Sequence, residues 1–414
     1  MKIAPATPLN VSLHWDVDDV QPVGRLAYRD QIAYLEFDQA FLNTGLELSP
    51  VHDKTTTGLQ RPYDTAVFEG LHGMFNDSLP DGWGRLLIDR RARQLGIEPS
   101  TLTPLDRLAC VGSNGMGALC YAPSVEVWEA GEEDLDLGQL AADARRILEG
   151  DISEVLLTLG RVGGSPGGAR PKALIALNES GHAVHGSDEA PEGYEHYLVK
   201  FPGYNDPDDI AAIEMAYADM AKEAGVSMPE TRLLDGGNGE SYFAAHRFDR
   251  QGTRRIYIQS ASGLLYTDIR IPALDYTDLI MLTRNVTRDQ RQCNAMFTLA
   301  VFNVLAHNRD DHARQFSFMM ERDGTWRLAP AYDLTWSSGP GGEHSSSVLG
   351  HGKNITREHL IKLGEKAGMK RSDSIRVIEC TRAAISKWEI FAGTHGVSRQ
   401  STHMVAAALA RVSI

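Results

Sequence analysis

Cysteine, long apolar runs and an excess of basic charge are all scarce in this sequence. Only four cysteines occur in 414 residues, and no two form a CxxC pair, which argues against a disulfide framework or a cysteine-based metal site. No stretch approaches the roughly 18 apolar residues that a membrane helix needs, and no apolar segment follows Met1 as it would in a signal peptide. We therefore expect a soluble, cytoplasmic protein that is not inserted in a membrane.

The charge balance is acidic, with 41 Lys and Arg residues against 55 Asp and Glu residues and a formal net charge of −14. A field of this sign repels a nucleic-acid backbone, so any DNA contact would need a local basic patch or a basic partner. The arginines at positions 85, 90, 91 and 93 could form such a patch, or they could be the solvated face of a helix. The apolar content of 42% is typical of a folded protein, and the length predicts two or three domains or one bilobal unit.

Apolar periodicity predicts a mixed α+β organisation. Residues 25–37 have the composition of two strands that turn at residues 29–31. Ile210, Ile213 and Tyr217 fall on one face of a helix, and Gly225 stands where a helix cap is expected. Further strands are predicted at residues 173–177, 197–201, 231–234 and 242–248, and helices at residues 83–95, 152–159, 209–224 and 295–306. An acidic tract at residues 126–136 is a candidate boundary between an N-terminal unit and the rest of the chain. The chain after about Ala261 is expected to be mostly helical.

A glycine-rich loop at residues 163–172, GGSPGGARPK, precedes one of these strands. Glycine allows backbone N–H groups to approach an anion closely, so the loop is a candidate phosphate site. It lacks the Gly-Lys-Ser/Thr of a Walker A sequence, and a glycine run alone can also be a plain connection.

Lys200 lies within a predicted strand between Val199 and Phe201. A buried lysine needs a carboxylate partner, and Glu214 on the next predicted helix is the natural one. The separation of fourteen residues resembles the strand-lysine and helix-glutamate pair of protein kinases. The other interpretation is an edge-strand lysine that points to water.

A burst of polar residues, HNRDDHARQFSF, follows the apolar helix at residues 307–318. Asp333 comes about twenty residues later, in an otherwise apolar stretch. Phosphoryl transfer needs one carboxylate to accept the hydroxyl proton and a second carboxylate, with an amide, to hold Mg²⁺. Asp310, Asp333 and Gln315 fit these roles.

A rival hypothesis makes the same segment the metal site of a phosphohydrolase. His307, Asp310, Asp311 and His312 are residue types that bind divalent metals. Because Asp310, Asp311 and His312 are consecutive, their side chains are expected to diverge, and no second His/Asp cluster stands out to complete the site.

Taken together, these segments resemble the HipA family, the serine/threonine kinase toxins of bacterial toxin–antitoxin pairs. The likeness spans nearly the whole chain, and six segments occur in the family's order. The matching segments are FNDSLPDG at residues 75–82, GMGA at 115–118, SPGGARPK at 165–172, YLVKFP at 197–202, HRFD at 246–249, and RDDHARQFS at 309–317 with Tyr332 and Asp333.

The resemblance implies a bilobal, protein-kinase-like α+β fold. It implies an N-terminal subdomain at residues 1–125, a kinase N-lobe core at 150–250 with the glycine loop and the nucleotide lysine, and a mostly helical C-lobe at 251–414 with the catalytic and metal segments. The implied cofactors are ATP and Mg²⁺, and the implied partners are a protein substrate with a Ser/Thr acceptor and a small helix-turn-helix antitoxin, which would mediate any DNA contact.

The resemblance also implies a role for individual residues. Asp310 becomes the catalytic base, Asp333 and Gln315 the metal ligands, and Ser165 a site of autophosphorylation, with Glu214 the partner of Lys200. The implied nucleotide-binding residues are Gly167, Gly168, Ala169, Arg170, Lys172, Lys200, His246, Phe248, His312 and Tyr332.

Two positions depart from the family pattern. Gln315 stands where the family usually has asparagine, so the amide oxygen lies one methylene further out. Asp311 adds a carboxylate that would repel phosphate unless Arg309 or Arg314 offsets it. The departures leave a second hypothesis open, that of a catalytically weak adaptor or co-repressor that acts through an antitoxin and operator DNA.

Overall fold

The computed structural model describes residues 8–80, 82–125, 134–150, 159–160, 168–186, 190–237, 239–271 and 273–412. The N-terminal part is built on an antiparallel five-stranded sheet in the order β4-β3-β2-β1-β5. Its strands are β1 (Leu9–His14), β2 (Val20–Arg29), β3 (Ile32–Phe37), β4 (Leu59–Gln60) and β5 (Leu119–Ala122). Asp30 and Gln31 connect β2 to β3 with φ angles of 52° and 58°, the left-handed conformation of a two-residue hairpin turn. The predicted turn is confirmed.

Helices α1 (Gln39–Leu42), α2 (Gly73–Asn76), α3 (Gly82–Gln94) and α4 (Pro104–Val111) complete this part. The position of α3 confirms the helix predicted at residues 83–95. Arg85 on α3 forms an exposed ion pair with Glu69 at 3.1 Å, as on a solvated helix face.

A second sheet of six strands follows, in the order β10-β11-β9-β7-β8-β6. Its strands are β6 (Asp134–Leu135), β7 (Lys172–Asn178), β8 (Ala183–His185), β9 (Tyr194–Lys200), β10 (Thr231–Gly237) and β11 (Glu240–His246). Helix α5 (Leu137–Leu148) shares a hydrophobic cluster with β7 and β9. The predicted strands are confirmed with ends shifted by up to three residues. The helix predicted at residues 152–159 lies outside the described residues except for Leu159, and so does the acidic tract up to residue 133.

Helix α6 (Ile210–Glu223) connects β9 to β10 and confirms the helix predicted at residues 209–224. Its predicted apolar face is buried: Ile213 and Tyr217 are 3% and 0% exposed. Gly225 ends the helix with a φ of 85°, which glycine adopts without steric cost.

The rest of the chain is mainly helical, as predicted. Its helices are α7 (Ala261–Leu265), α8 (Tyr276–Thr287), α9 (Gln290–Leu305), α10 (Arg357–Lys366), α11 (Arg371–Ile385), α12 (Trp388–Thr394) and α13 (Arg399–Leu409). Helix α9 starts five residues before its predicted start because its first turn, Gln290–Gln292, is polar and adds nothing to the apolar pattern.

Short strands among these helices were not predicted. β12 (Arg250–Gln251) pairs with β13 (Arg254–Arg255), and β15 (Leu274–Asp275) pairs with β18 (Ser346–Ser347). β14 (Tyr257–Ser260), β16 (Ser317–Met320) and β17 (Trp326–Leu328) form a three-stranded sheet. β16 is buried on both faces, so it lacks the alternation by which strands are recognised.

One large hydrophobic cluster runs from the N-terminal sheet through α6 to the C-terminal helices, and a second lies at the six-stranded sheet. The fold is α+β and bilobal, of the protein-kinase-like kind, with an additional N-terminal α+β subdomain. Among the helices of the described segments, none has the length and apolarity needed to cross a membrane.

Candidate active site

Lys200, at the end of β9, lies at the centre of a buried ionic cluster. Its Nζ donates to Glu214 Oε2 at 2.7 Å and also contacts Asp333 Oδ1. The lysine side chain is 11% exposed and that of Glu214 is 4% exposed. The pair expected from the sequence is thus in contact, and the alternative of a solvated edge-strand lysine does not describe this side chain.

Strand register brings a second lysine to the same place. Lys172 on β7 is paired directly with Lys200 and is 5% exposed. Burial by itself would raise the pKa of Asp333, but Lys200 and Lys172 outweigh burial and hold the pKa well below its ordinary value. Asp333 is therefore a carboxylate at any physiological pH.

Arg170 joins the glycine loop to the same cluster. It contacts Glu214 Oε1, and its Nε lies 2.9 Å from Asp206 Oδ2. Burial alone would lower the pKa of Arg170. The nearby carboxylates of Glu214, Asp206 and Asp333 raise it by more, so the pKa of Arg170 lies above its ordinary value. Arg170 ties the base of the loop to α6, and its predicted contact with the nucleotide stays a prediction.

Gln315 and Asp333 could hold a magnesium ion. Asp333 adopts a left-handed φ of 56°, and its Oδ2 accepts a hydrogen bond from Gln315 Nε2 at 2.9 Å. Carboxylate and amide oxygens are the ligands that Mg²⁺ prefers, and it commonly takes only one or two carboxylates together with phosphates and water. The donor set fits this ion, although no group of three or more His, Cys, Asp or Glu side chains converges within the described parts of the chain.

Asp310 is exposed, whereas the neighbouring Asp311 is buried. The Asp310 side chain is 60% exposed, and its Oδ1 lies 4.0 Å from His312 Nε2. Partial desolvation raises the pKa of Asp310; His312 opposes the rise, while Asp333 and Asp311 add to it. A carboxylate with a raised pKa accepts a proton more readily, which suits a general base.

Asp311 is fully buried and holds the loop that follows β17. It accepts hydrogen bonds from Tyr276 Oη at 2.7 Å, His344 Nδ1 at 2.9 Å and the backbone N–H of Ser345 at 2.8 Å. These donors hold the Asp311 carboxylate within the interior, but its charge still raises the pKa of Asp310, so the predicted repulsion of a phosphate by Asp311 stays a prediction. The divergence of Asp310 and Asp311 also removes the shared ligand set that the phosphohydrolase hypothesis needs.

The glycine loop is described only from Gly168 onward. Ser165 and Gly167 lie outside the described residues. Gly168 has a φ of 103°, and a Cβ atom there would lie 2.6 Å from Lys172 Nζ. Ala169 follows between Gly168 and Arg170, so it belongs to the same base of the loop.

The start of α3 contacts this loop, a contact that the sequence did not indicate. Trp83 N donates to Gly168 O at 3.0 Å, and Gly82 lies so close that a Cβ atom would be 2.3 Å from the same oxygen. The segment FNDSLPDG therefore leads directly to the glycine loop.

The predicted adenine hinge follows β11. The N–H groups of His246 and Arg247 donate to Glu230 O and His196 O, both at 2.8 Å, so they hold the strand end in place. Phe248 stacks on Tyr332, with ring centroids 5.9 Å apart. Tyr332 is fixed through its Oη, 2.6 Å from Ser317 Oγ. The Phe248 backbone and the two rings remain as groups that could meet a base.

The segment GMGA serves a different purpose from the other glycine loop. Asp249 is fully buried and accepts from the N–H of Gly117 at 2.8 Å, from Arg247 and from Arg250. Arg250 in turn donates to the carbonyl oxygens of Gly117 and Gly115 at 2.8 and 3.0 Å. This cluster attaches the N-terminal subdomain to the rest of the protein. The sequence signal for it was RFDR at residues 247–250, in which an acidic residue lies between two basic ones.

Comparisons with known proteins agree with this architecture. The model of the HipA N-terminal domain matches residues 17–122, and the model of the HipA-like C-terminal domain matches residues 164–388. A search of curated proteins found no match.

Two solved structures are similar to the chain. One is the complex of HipA, HipB and operator DNA from the toxin–antitoxin system of Shewanella oneidensis MR-1, with 16% identity, 97% of this chain and 95% of that chain covered, and a TM-score of 0.66. The other is CtkA, a proinflammatory kinase of Helicobacter pylori, with 15% identity, 49% and 90% covered, and a TM-score of 0.31. The first likeness shows the fold, and the C-terminal family model alone matches more than half of the residues. On these matches, the chain belongs to the HipA family.

Proposed function

We propose that this protein is an ATP-dependent serine/threonine protein kinase that acts as a HipA-like toxin in the cytoplasm. The observation that carries the proposal is the buried contact of Lys200 with Glu214 and Asp333. Protein kinases require both a lysine–glutamate pair and a metal-binding aspartate at the nucleotide phosphates. A merely structural ion pair would not need the third charge or the adjacent Lys172.

The proposed roles follow from the positions of the side chains. Lys200 contacts the ATP phosphates and is held by Glu214, and Lys172, Gly167, Gly168 and Ala169 are the proposed further phosphate-binding residues. The Phe248 backbone and the rings of Phe248 and Tyr332 bind the base, while His246, whose N–H is bonded to Glu230 O, holds the end of β11 beside it. Asp333 and Gln315 would hold Mg²⁺, which neutralises charge on the phosphates when bound.

Asp310 accepts the proton of the attacking hydroxyl at its exposed carboxylate. Its raised pKa favours this role, and His312, whose Nε2 lies 4.0 Å from Asp310 Oδ1, is the proposed nucleotide-binding residue next to it. Exposure of Asp310 to solvent is consistent with a protein substrate, whose side chain must reach the base from outside.

The proposed regulation follows the family. Phosphorylation of Ser165 would add charge of about −2 next to the phosphate site and eject the glycine loop. A helix-turn-helix antitoxin would neutralise the kinase and supply most of the contacts to operator DNA, since this chain carries a net charge of −14. The division into units at residues 1–125, 150–250 and 251–414 belongs to the same proposal.

The adaptor hypothesis stays as a second candidate because of one contact. Gln315 directs its Nε2 toward Asp333, so its oxygen must be turned toward a metal before it can serve as a ligand. If the longer side chain prevents this, the protein would bind its antitoxin without efficient catalysis.

The decisive test is incubation of the protein with Mg²⁺ and γ-labelled ATP, followed by mapping of the label. We expect label on Ser165 and on added cellular protein, a loss of at least about 100-fold in Asp310→Asn, and loss of the Ser165 label alone in Ser165→Ala. Asp323→Asn, the same change on an exposed turn, is the matched control and should keep wild-type labelling.

The other outcomes separate the alternatives. Bound ATP without labelled protein would overturn the kinase proposal in favour of the adaptor. Release of phosphate without labelled protein would indicate a phosphohydrolase.

A further inference from the structure

Helix α12 packs along α6, the helix that carries Glu214, and α13 packs on α12 and contacts the start of α6. The match to the family's C-terminal model ends at residue 388, where α12 begins. The contacts with α6 occur at both of its ends and in its middle.

The first contact is at the start of α6. Asp209 is the N-cap residue of α6, but its side chain does not cap that helix. It accepts instead from Ser398 N at 2.7 Å and Ser401 Oγ at 2.9 Å. Ser398 is the N-cap of α13, so the carboxylate lies at the positive end of the α13 dipole.

The second contact is in the middle of α6. The rings of Tyr217 and Trp388 meet edge to face with centroids 5.4 Å apart, and both residues are buried. Trp388 Nε1 donates to Thr402 O at 3.0 Å, which joins α12 to α13. Tyr217 Oη donates to Ala306 O at 2.8 Å, immediately before the segment that contains Asp310.

The third contact is at the end of α6. His395 Nε2 lies 2.8 Å from Asp219 Oδ2, and Lys387 forms an ion pair with Glu223. Residues 209 and 223 are separated by about 20 Å along a helix. Contacts this far apart resist both sliding and tilting of α6.

We infer that α12 and α13 form a brace that sets the position of α6 and thereby holds Glu214 at Lys200. Asp209 and His395 are positioning residues in this brace. The inference rests on the proposed function only where it concerns phosphoryl transfer. Glu214 and Lys200 are 2.7 Å apart, so a shift of α6 by 1 Å would break their hydrogen bond.

Two measurements on the full-length protein test the brace. Hydrogen–deuterium exchange over residues 210–223 reports the opening of α6 without any need for activity. Label transfer from ATP, separated into kcat and KM, reports the Lys200–Glu214 pair. The variants are Asp209→Ala and His395→Ala, with Asp209→Asn as the conservative change because it keeps an acceptor oxygen.

We expect exchange in α6 to rise about tenfold in Asp209→Ala and His395→Ala, the effect of losing one charged hydrogen bond. We expect kcat to fall by a similar factor, and Asp209→Asn to recover most of both losses. Glu358→Ala is the matched control, because it removes an exposed ion pair with Arg371 elsewhere among the C-terminal helices. It should change neither quantity.

Unchanged exchange in α6 would overturn the inference, and so would faster exchange with unchanged kcat. If the wild type transfers no phosphate, the proposed function fails, and ATP affinity replaces kcat as the second readout. An affinity reduced several-fold in Asp209→Ala would then support the brace, and an equal affinity would overturn it.

Discussion

The charges around Lys200 balance one another at the scale of single residues. Arg170, Lys172 and Lys200 face Asp206, Glu214 and Asp333, so three cations meet three carboxylates. A triphosphate entering this cluster would bring an excess of negative charge next to Asp333. In the proposed kinase, a divalent cation bound at Asp333 and Gln315 would compensate that excess.

The sequence predicted part of this cluster. The Lys200–Glu214 pair could be predicted because it follows from a strand and a helix that are adjacent in the chain. The contact of Arg170 with Asp206 and Glu214 could not, because it depends on where the glycine loop lies after folding. The burial of Asp311 depends on a loop more than thirty residues away, about which local spacing carries no information.

A residue-scale prediction concerns His72, which is fully buried and has no hydrogen-bond partner for either ring nitrogen among the described residues. Burial lowers its pKa to about 3, against about 6.5 in an unfolded chain. Between these values the unfolded state binds the additional proton, so stability is lost as the pH falls below 6.5. The loss from this residue is of the order of 3 kcal/mol at pH 4.

Urea unfolding of His72→Phe at pH 7 and pH 4 measures this effect. The variant should lose less stability between the two pH values than the wild type does, whatever its stability at pH 7. His403→Phe, at an exposed helix position, should retain the wild-type difference. Equal pH dependence in all three proteins would mean that another group is responsible.

At the scale of elements, strong apolar periodicity predicted helices correctly, whereas the short strands were missed. Helix α6 was predicted nearly to the residue because apolar side chains recur on one face and Gly225 marks its end. The sheet of β14, β16 and β17 was missed because its strands have three or four residues each. Strand β17 is stabilised by its packing on α8 and α9, and β14 by its packing on α7, rather than by a local signal.

An element-scale prediction concerns the contact between α3 and the glycine loop. Gly82→Ala would put a Cβ atom 2.3 Å from Gly168 O, whereas Gly96→Ala, just after the same helix, meets nothing within 4 Å. Both glycines have positive φ angles, so both variants bear a backbone cost of about 1 kcal/mol. Only Gly82→Ala also displaces the loop, and it should weaken ATP binding about tenfold in titration calorimetry. Equal affinities in the two variants would show that α3 does not position the loop.

At the scale of the whole molecule, the N-terminal subdomain is joined to the kinase-like lobes by buried charge as well as by apolar packing. Asp249, Arg247 and Arg250 are each at most 3% exposed and hold the segment at residues 115–117. Their role was not predicted, because HRFD was interpreted only as a hinge. A carboxylate between two buried arginines leaves uncompensated cations when it is removed, and that penalty is larger than the gain from forming the pair.

A whole-molecule prediction therefore concerns Asp249→Asn. Burial alone would raise the pKa of Asp249, but Arg247 and Arg250 hold it well below its ordinary value. The stabilisation by Asp249 is thus fully present above about pH 4, the pKa of aspartate in the unfolded chain, and is lost only as the pH falls further. We expect Asp249→Asn to lower the free energy of unfolding by about 3–5 kcal/mol at pH 7, measured in urea.

The control is Asp268→Asn, which removes the surface pair with Arg270 and should lower the free energy of unfolding by less than about 1 kcal/mol. If subdomain docking depends on Asp249, the unfolding curve of its variant will also show a separate early transition, since the N-terminal sheet can then detach before the kinase-like lobes unfold. A single transition with a loss below 1 kcal/mol would mean that the apolar core alone holds the subdomain in place.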